Sequence, residues 1–153
     1  MSEQQLTIEE TFKNKVFKES QLWVVSYLGG PLGASYLLSH NFKIFGEHKK
    51  AKIIWTGSII FTIFLSIFLI LIPEAVIEKI PKVLIPVIYS GAYYGIMHYY
   101  QSEKINDYIN AGGIFEGWGK SISISIIGCI IFFLSMFIFA VLVDFLTPMF
   151  YLY

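Results

Sequence analysis

The stretch YLGGPLGASYLL, residues 27–38, holds Gly29, Gly30, Pro31 and Gly33 within five positions of an apolar run. Its reading decides the topology of everything after it. Proline suits the first position of a helix, where its missing N–H would have no partner anyway. Gly46 suits the position just past a helix end. A helix over 31–45 is thus punctuated at both ends. At 1.5 Å per residue it reaches roughly 22 Å, too short to cross a bilayer untilted. The apolar segment before it, 22–28, is shorter still. Two readings follow. One is a continuous span over 22–42, kinked at Pro31. The other is an element that enters, turns at Gly29–Gly30 and leaves on the same side.

Further out, composition sets the class. The chain has 153 residues, 56% hydrophobic and 14% charged. Soluble domains are nearer 45–50% apolar and about 25% charged. Two uncharged runs, IIWTGSIIFTIFLSIFLILI (53–72) and SISISIIGCIIFFLSMFIFAVLV (121–143), are 20 and 23 residues long. Each is long enough for the roughly 30 Å hydrocarbon core. The sequence therefore predicts an all-α integral membrane protein at a cell membrane, its spans in contact with lipid. The N-terminus mixes Glu3, Glu9, Glu10 and Glu19 with Lys13, Lys15 and Lys18, unlike the basic start of a signal peptide. Net charge is zero, which implies no nucleic-acid partner. The single cysteine, Cys129, falls mid-span and reads as a small filler.

The remaining punctuation divides one membrane domain, 22–153, from a polar segment, 1–21. In that segment Thr7 and Glu10 fit a capping box, and Ile8, Phe12 and Val16 recur at helical spacing. Alternation over 13–18 suits a short strand equally well. Residues 47–52 read as a basic loop, with Trp55 at the interface. Pro73 ends the helix over 53–72. A third helix is expected over 84–111, stopped by Gly112 and Gly113. A last one is expected over 121–146, with Pro148 starting an aromatic tail.

Lysine counting separates the two readings. With four spans, Lys13, Lys15, Lys18, Lys79 and Lys82 face one side, and the six others face the opposite one. That split gives no orientation. With three spans and a re-entrant first segment, Lys79 and Lys82 stand against the nine others. Nine against two is a clear bias, and the positive-inside rule puts the nine, and the N-terminus, in the cytoplasm. Trp23, Trp55 and Trp118 then share that interface. Three transmembrane helices plus a broken, re-entrant N-terminal segment is the favoured architecture, and four transmembrane helices is the alternative.

The candidate binding or packing residues follow. Gly29 and Gly33, and Gly91 and Gly95, are spaced i, i+4, which lets helix backbones approach in lipid. In the third helix Gly91, Tyr94, Gly95, His98 and Ser102 lie within about 100° of arc, with Gln101 at its edge. This small, polar face is expected to turn inward, onto Gly29, Gly30, Pro31 and Gly33, and to supply hydrogen bonds to their loosened backbone. His40, His48 and His98 sit on separate segments, without the convergence a metal needs. No nucleophile–base motif appears, so catalytic residues and cofactors are expected to be none. The expected role is a non-enzymatic membrane partner or assembly component that binds a protein partner or forms a homo-oligomer. A small channel or carrier, with its site at the Gly-Gly-Pro element, is the alternative.

The phrase LGGPLGASYLLSHNFKIFG, followed by IPVIYSGAYYGIMHYYQ, resembles a group of small bacterial multi-pass membrane proteins. The likeness rests on Gly29, Gly30, Pro31, Leu32, Tyr36, Asn41, Phe42, Ile85, Pro86, Tyr89 and Gln101. It implies a bacterial membrane protein and supplies no mechanism.

Overall fold

The computed structural model describes residues 14–150. It is mostly helical. In chain order the elements are β1 (Lys15–Val16), α1 (Glu19–Ile44), α2 (His48–Leu71), α3 (Glu74–Ile77), α4 (Leu84–Asn110), β2 (Ile114–Phe115) and α5 (Trp118–Phe150). The expected helix over Ile8 to Val16 lies mostly outside the described residues, and Val16 itself is in β1.

α1 is two helices joined at Gly30, whose φ of 68° and ψ of −170° are not helical. Only glycine adopts that combination without strain. Pro31 follows at the first position of the second helix. Gly46, at φ 74°, stands just past its end. The contacts of α1 show that the chain folds back there. Phe17 and Asn41 are 24 residues apart, which a straight helix would place about 36 Å apart. Instead the Phe17 N–H donates to Asn41 Oδ1 at 2.9 Å, and Asn41 Nδ2 donates to the Phe17 carbonyl at 3.0 Å. A Cβ built on Gly33 would lie 3.0 Å from the Val25 side chain. The two halves, 19–29 and 31–44, therefore form a helical hairpin.

This hairpin is the core of the fold. Leu22, Val25, Ala34, Leu37, Leu38 and Phe42 are buried in it, and α2, α4 and α5 pack around it. β1 runs parallel to β2, pairing Lys15 with Ile114 and Val16 with Phe115. The start of the hairpin, its end and the α4–α5 connection thus meet at one end of the molecule.

The packing inverts that of a water-soluble protein. In α2 the buried residues are Ala51, Ser58, Thr62, Leu65 and Ser66, while Ile60 and Phe64 are exposed. In α5 Ser121, Ser125 and Gly128 face inward, while Phe133, Phe137 and Phe145 face out. Two helices are long and apolar enough to cross a membrane, His48–Leu71 and Trp118–Phe145. α4 has the length but carries more polar residues.

Several boundaries differ from those expected. α2 begins at His48, so most of the expected basic loop is its first turn and not a loop. Charged side chains can extend sideways from a helix end, so they do not stop one. α5 begins at Trp118 and runs past Pro148, because neighbouring turns hold it in register. α3 adds a single turn inside the connector.

Candidate functional site

Gly29 and Gly30 form the apex of the hairpin, and α5 covers it. A Cβ on Gly29 would lie 2.8 Å from the Ser125 Cα, and one on Gly128 would lie 2.2 Å from the Gly29 carbonyl oxygen. Backbone meets backbone here, as small residues allow. Pro31 is buried, and Gly30 faces the Phe132 ring, 3.9 Å from where its Cβ would be. No space for a ligand is left between Gly29 and α5.

The expectation that the Gly91–Ser102 face covers this apex is corrected by the structure. Gly91, Tyr94, Gly95 and His98 are exposed, and a Cβ on Gly91 or Gly95 would meet nothing within 4 Å. α4 instead turns Ser90, Tyr93, Met97, Gln101, Ile105 and Tyr108 inward, a face rotated by about 90°. α5 lies against the glycines, with Ser125 and Gly128 at Gly29, and α4 buries Tyr93 and Met97 in the core instead. Gln101 does reach the hairpin, where its Nε2 donates to the Leu38 carbonyl at 2.9 Å and not to the Gly-Gly-Pro backbone. His98 turns outward to Glu19, with Nδ1 3.3 Å from Oε1.

Polar side chains line the inner seams. Ser58 Oγ and Tyr93 OH are 2.6 Å apart, and Ser66 Oγ lies 3.0 Å from Ser135 Oγ. Thr62 and Ser66 also bond back to their own helix, at Ser58 O and Thr62 O. These local bonds let the hydroxyls face inward without leaving their O–H donors unsatisfied.

At the end where the loops meet, two carboxamides act as joints. Asn41 clamps Phe17 as described. Gln21 accepts from Lys18 N–H at 2.8 Å and donates to the Glu116 carbonyl at 2.8 Å. The Gln21–Lys18 bond has the local spacing of a capping box, but nothing in the sequence marks the Asn41–Phe17 and Gln21–Glu116 bonds in advance, since those partners are distant. Ionic contacts add to this. Glu47 Oε1 takes Lys50 at 2.7 Å and Lys104 at 2.8 Å, and Glu116 takes Lys120. Hydrogen bonds from Lys104 and Lys50 hold the Glu47 carboxyl below its ordinary range.

Beside this end, the second half of the hairpin and the first turns of α2 enclose a cleft of about 720 Å³. Lys43, Lys49, Lys52, His40, Tyr36 and Trp55 line it. Tyr36 stacks on His40 with centroids 6.2 Å apart, and meets Trp55 edge-on at 6.5 Å. His40 Nε2 lies 2.9 Å from the Lys15 carbonyl. Burial lowers the His40 pKa, and the neutral ring donates from Nε2 to that carbonyl. The sequence shows the lysines of this region but not the cleft, which needs the hairpin to bring 36–43 beside 48–55.

No family model, curated protein or solved structure matches this chain.

Proposed function

We propose that this chain is a multi-pass protein of the cell membrane that acts as a non-enzymatic assembly component. In this reading α2, α4 and α5 span, and α1 is a re-entrant hairpin inserted from the cytoplasmic face. One observation carries it: on α2 and α5 Ser58, Thr62, Ser66, Ser121, Ser125 and Gly128 are inside, while Ile60, Phe64, Phe133 and Phe137 are outside. In water so large an apolar surface would be a liability. In lipid it costs nothing, and small or hydrogen-bonding residues drive helix packing instead. The hairpin keeps irregular backbone off the lipid, because α5 covers Gly29 and Gly30. Eight of the nine lysines, those from Lys15 on, then belong to segments that the β1–β2 pair, the Asn41 clamp and the Glu47–Lys104 bridge gather at one end.

Labelling tests the topology. Cysteines at Ser20 and Glu47 are expected to react from the cytoplasmic side, and one at Lys79 from the other. Reaction of Ser20 and Glu47 from opposite sides would remove the hairpin.

The assembly role rests on the uncovered face of α4. Gly91, Tyr94, Gly95 and His98 make a small, polar surface that lipid solvates poorly. A partner helix, from a second copy or another membrane protein, would cover it. The open space at Gly91 and Gly95 makes a clean test, since larger side chains fit the monomer. Gly91→Leu with Gly95→Leu is expected to abolish self-association in bilayers, measured by energy transfer between labelled copies, with the thermal midpoint unchanged. A wild-type chain that stays monomeric, with an α4 face that crosslinks to nothing, would sink the role. The carrier alternative needs a solute at the Gly-Gly-Pro element, where backbone contacts take up the space.

A further inference from the structure

The cleft between the hairpin and α2 gathers three lysines without a carboxylate among the residues that line it. Among the described residues Glu47 is paired with Lys50 and Lys104, and Glu116 with Lys120. Lys43, Lys49 and Lys52 form no ion pair with a described residue, and no described Asp or Glu lines the cleft. Three ammonium groups facing one volume repel one another, and an anion relieves that repulsion. The walls are fixed. Ser39 Oγ donates to the Ala51 carbonyl at 3.2 Å, tying the hairpin to α2 behind the cleft.

The α2 face that forms one wall of the cleft continues beyond it along the helix, and it is graded. His48, Lys52, Trp55, Ile59 and Ile63 follow one another at i+3 or i+4 on α2, so they share a face. That face passes from cationic through aromatic to aliphatic, and Trp55, Ile59 and Ile63 are each about 40% exposed. Tyr36, four residues before His40, adds an aromatic ring at the level of Trp55. A free phosphate uses only the first part of this gradient. A phospholipid uses all of it: phosphate at the lysines, glycerol ester region at Tyr36 and Trp55, acyl chain along Ile59 and Ile63. Basic pockets between helices at a cytoplasmic interface suit such headgroups.

We propose that this cleft is a binding site for the phosphate headgroup of an anionic phospholipid. The proposal rests on the membrane reading above, and its test separates the two. The purified protein in neutral detergent is titrated with short-chain phosphatidylglycerol, short-chain phosphatidylcholine and inorganic phosphate, with thermal unfolding and native mass spectrometry as readouts. Phosphatidylglycerol is expected to bind at least tenfold more tightly than phosphatidylcholine or phosphate. Each Lys→Gln change at 43, 49 or 52 is expected to weaken it about fivefold, and the triple variant about a hundredfold. Lys79→Gln with Lys82→Gln, at the other end, should leave it unchanged. Trp55→Ala is expected to weaken the lipid and leave inorganic phosphate unaffected.

Equal binding of the two lipids, or undiminished selectivity in the folded triple variant, would overturn the site. Phosphate binding as tight as the lipid would assign it to a soluble anion instead. Binding that appears only after Glu9→Gln and Glu10→Gln would assign it to the chain's own acids. Failure of the membrane reading would show separately, as a chain that stays soluble and monodisperse without detergent.

Discussion

α1 and α5 reverse the usual relation between hydrophobicity and burial. α5 contains the longest apolar run, yet only 6% of its most apolar window is buried. α1 is richer in Gly, Ser and Asn, yet 15 of its 26 residues are buried, Gln21, Ser26, Ser35 and Asn41 among them. The difference teaches where this molecule's specificity sits. An exposed Ile on α5 contributes compatibility with lipid. An enclosed small residue on α1 contributes shape, because the backbone of another helix lies against it.

The contrast can be broken most severely at its closest point. Gly128→Leu would drive a side chain into the Gly29 carbonyl. The expected outcome is loss of the folded monomer on size exclusion, since overpacking beyond a methylene or two costs more than about 1–3 kcal/mol. Next comes a pair of truncations. Leu37→Ala, in the core, should cost about 2–5 kcal/mol. Phe133→Ala, on the outer face of α5, should stay within about 0.5 kcal/mol, as exposed positions do. Denaturation in mixed micelles measures both, and equal costs would contradict the inverted packing.

Asn41→Ala leaves the Phe17 N–H and carbonyl without their partner, at roughly 1–3 kcal/mol for each buried group. Hydrogen exchange at Phe17 should rise with it. Gly30→Ala keeps every contact but forces alanine to φ 68°, which costs about 1–3 kcal/mol. The smallest effect is electrostatic. Glu47 has a pKa lowered from 4.5 by Lys104 and Lys50. Its contribution is therefore present above pH 4.5 and is lost as pH falls through the lower folded value. The pairs are partly exposed, so the loss should not exceed about 1 kcal/mol, and Glu47→Gln should remove the pH dependence in that window.

Local chemistry made much of this legible. Pro31 and Gly46 punctuate the second half of the hairpin where the sequence predicts. The end of α4 is within a residue of its expected place. The lysine count already groups the segments that the folded chain brings to one end. What the sequence misplaced was orientation. The Gly91 face of α4 reads as inward because glycine, tyrosine and histidine are poor lipid surface. That argument weighs one helix alone, and it cannot see that Gly128 and Ser125 fit the hairpin apex more closely.

By itself, then, the sequence determined the all-α class, the two most apolar helices and the place where the first helix breaks. Those follow from length, charge and φ preferences, which act over a few residues. The tertiary structure alone decided that the break is a full reversal and that α5 covers it. It also decided that α4 is rotated about 90° from its polar face, and that three unpaired lysines share a cleft with Tyr36 and Trp55. Each of these depends on contacts between residues tens of positions apart, and their balance is set only when all the helices pack at once.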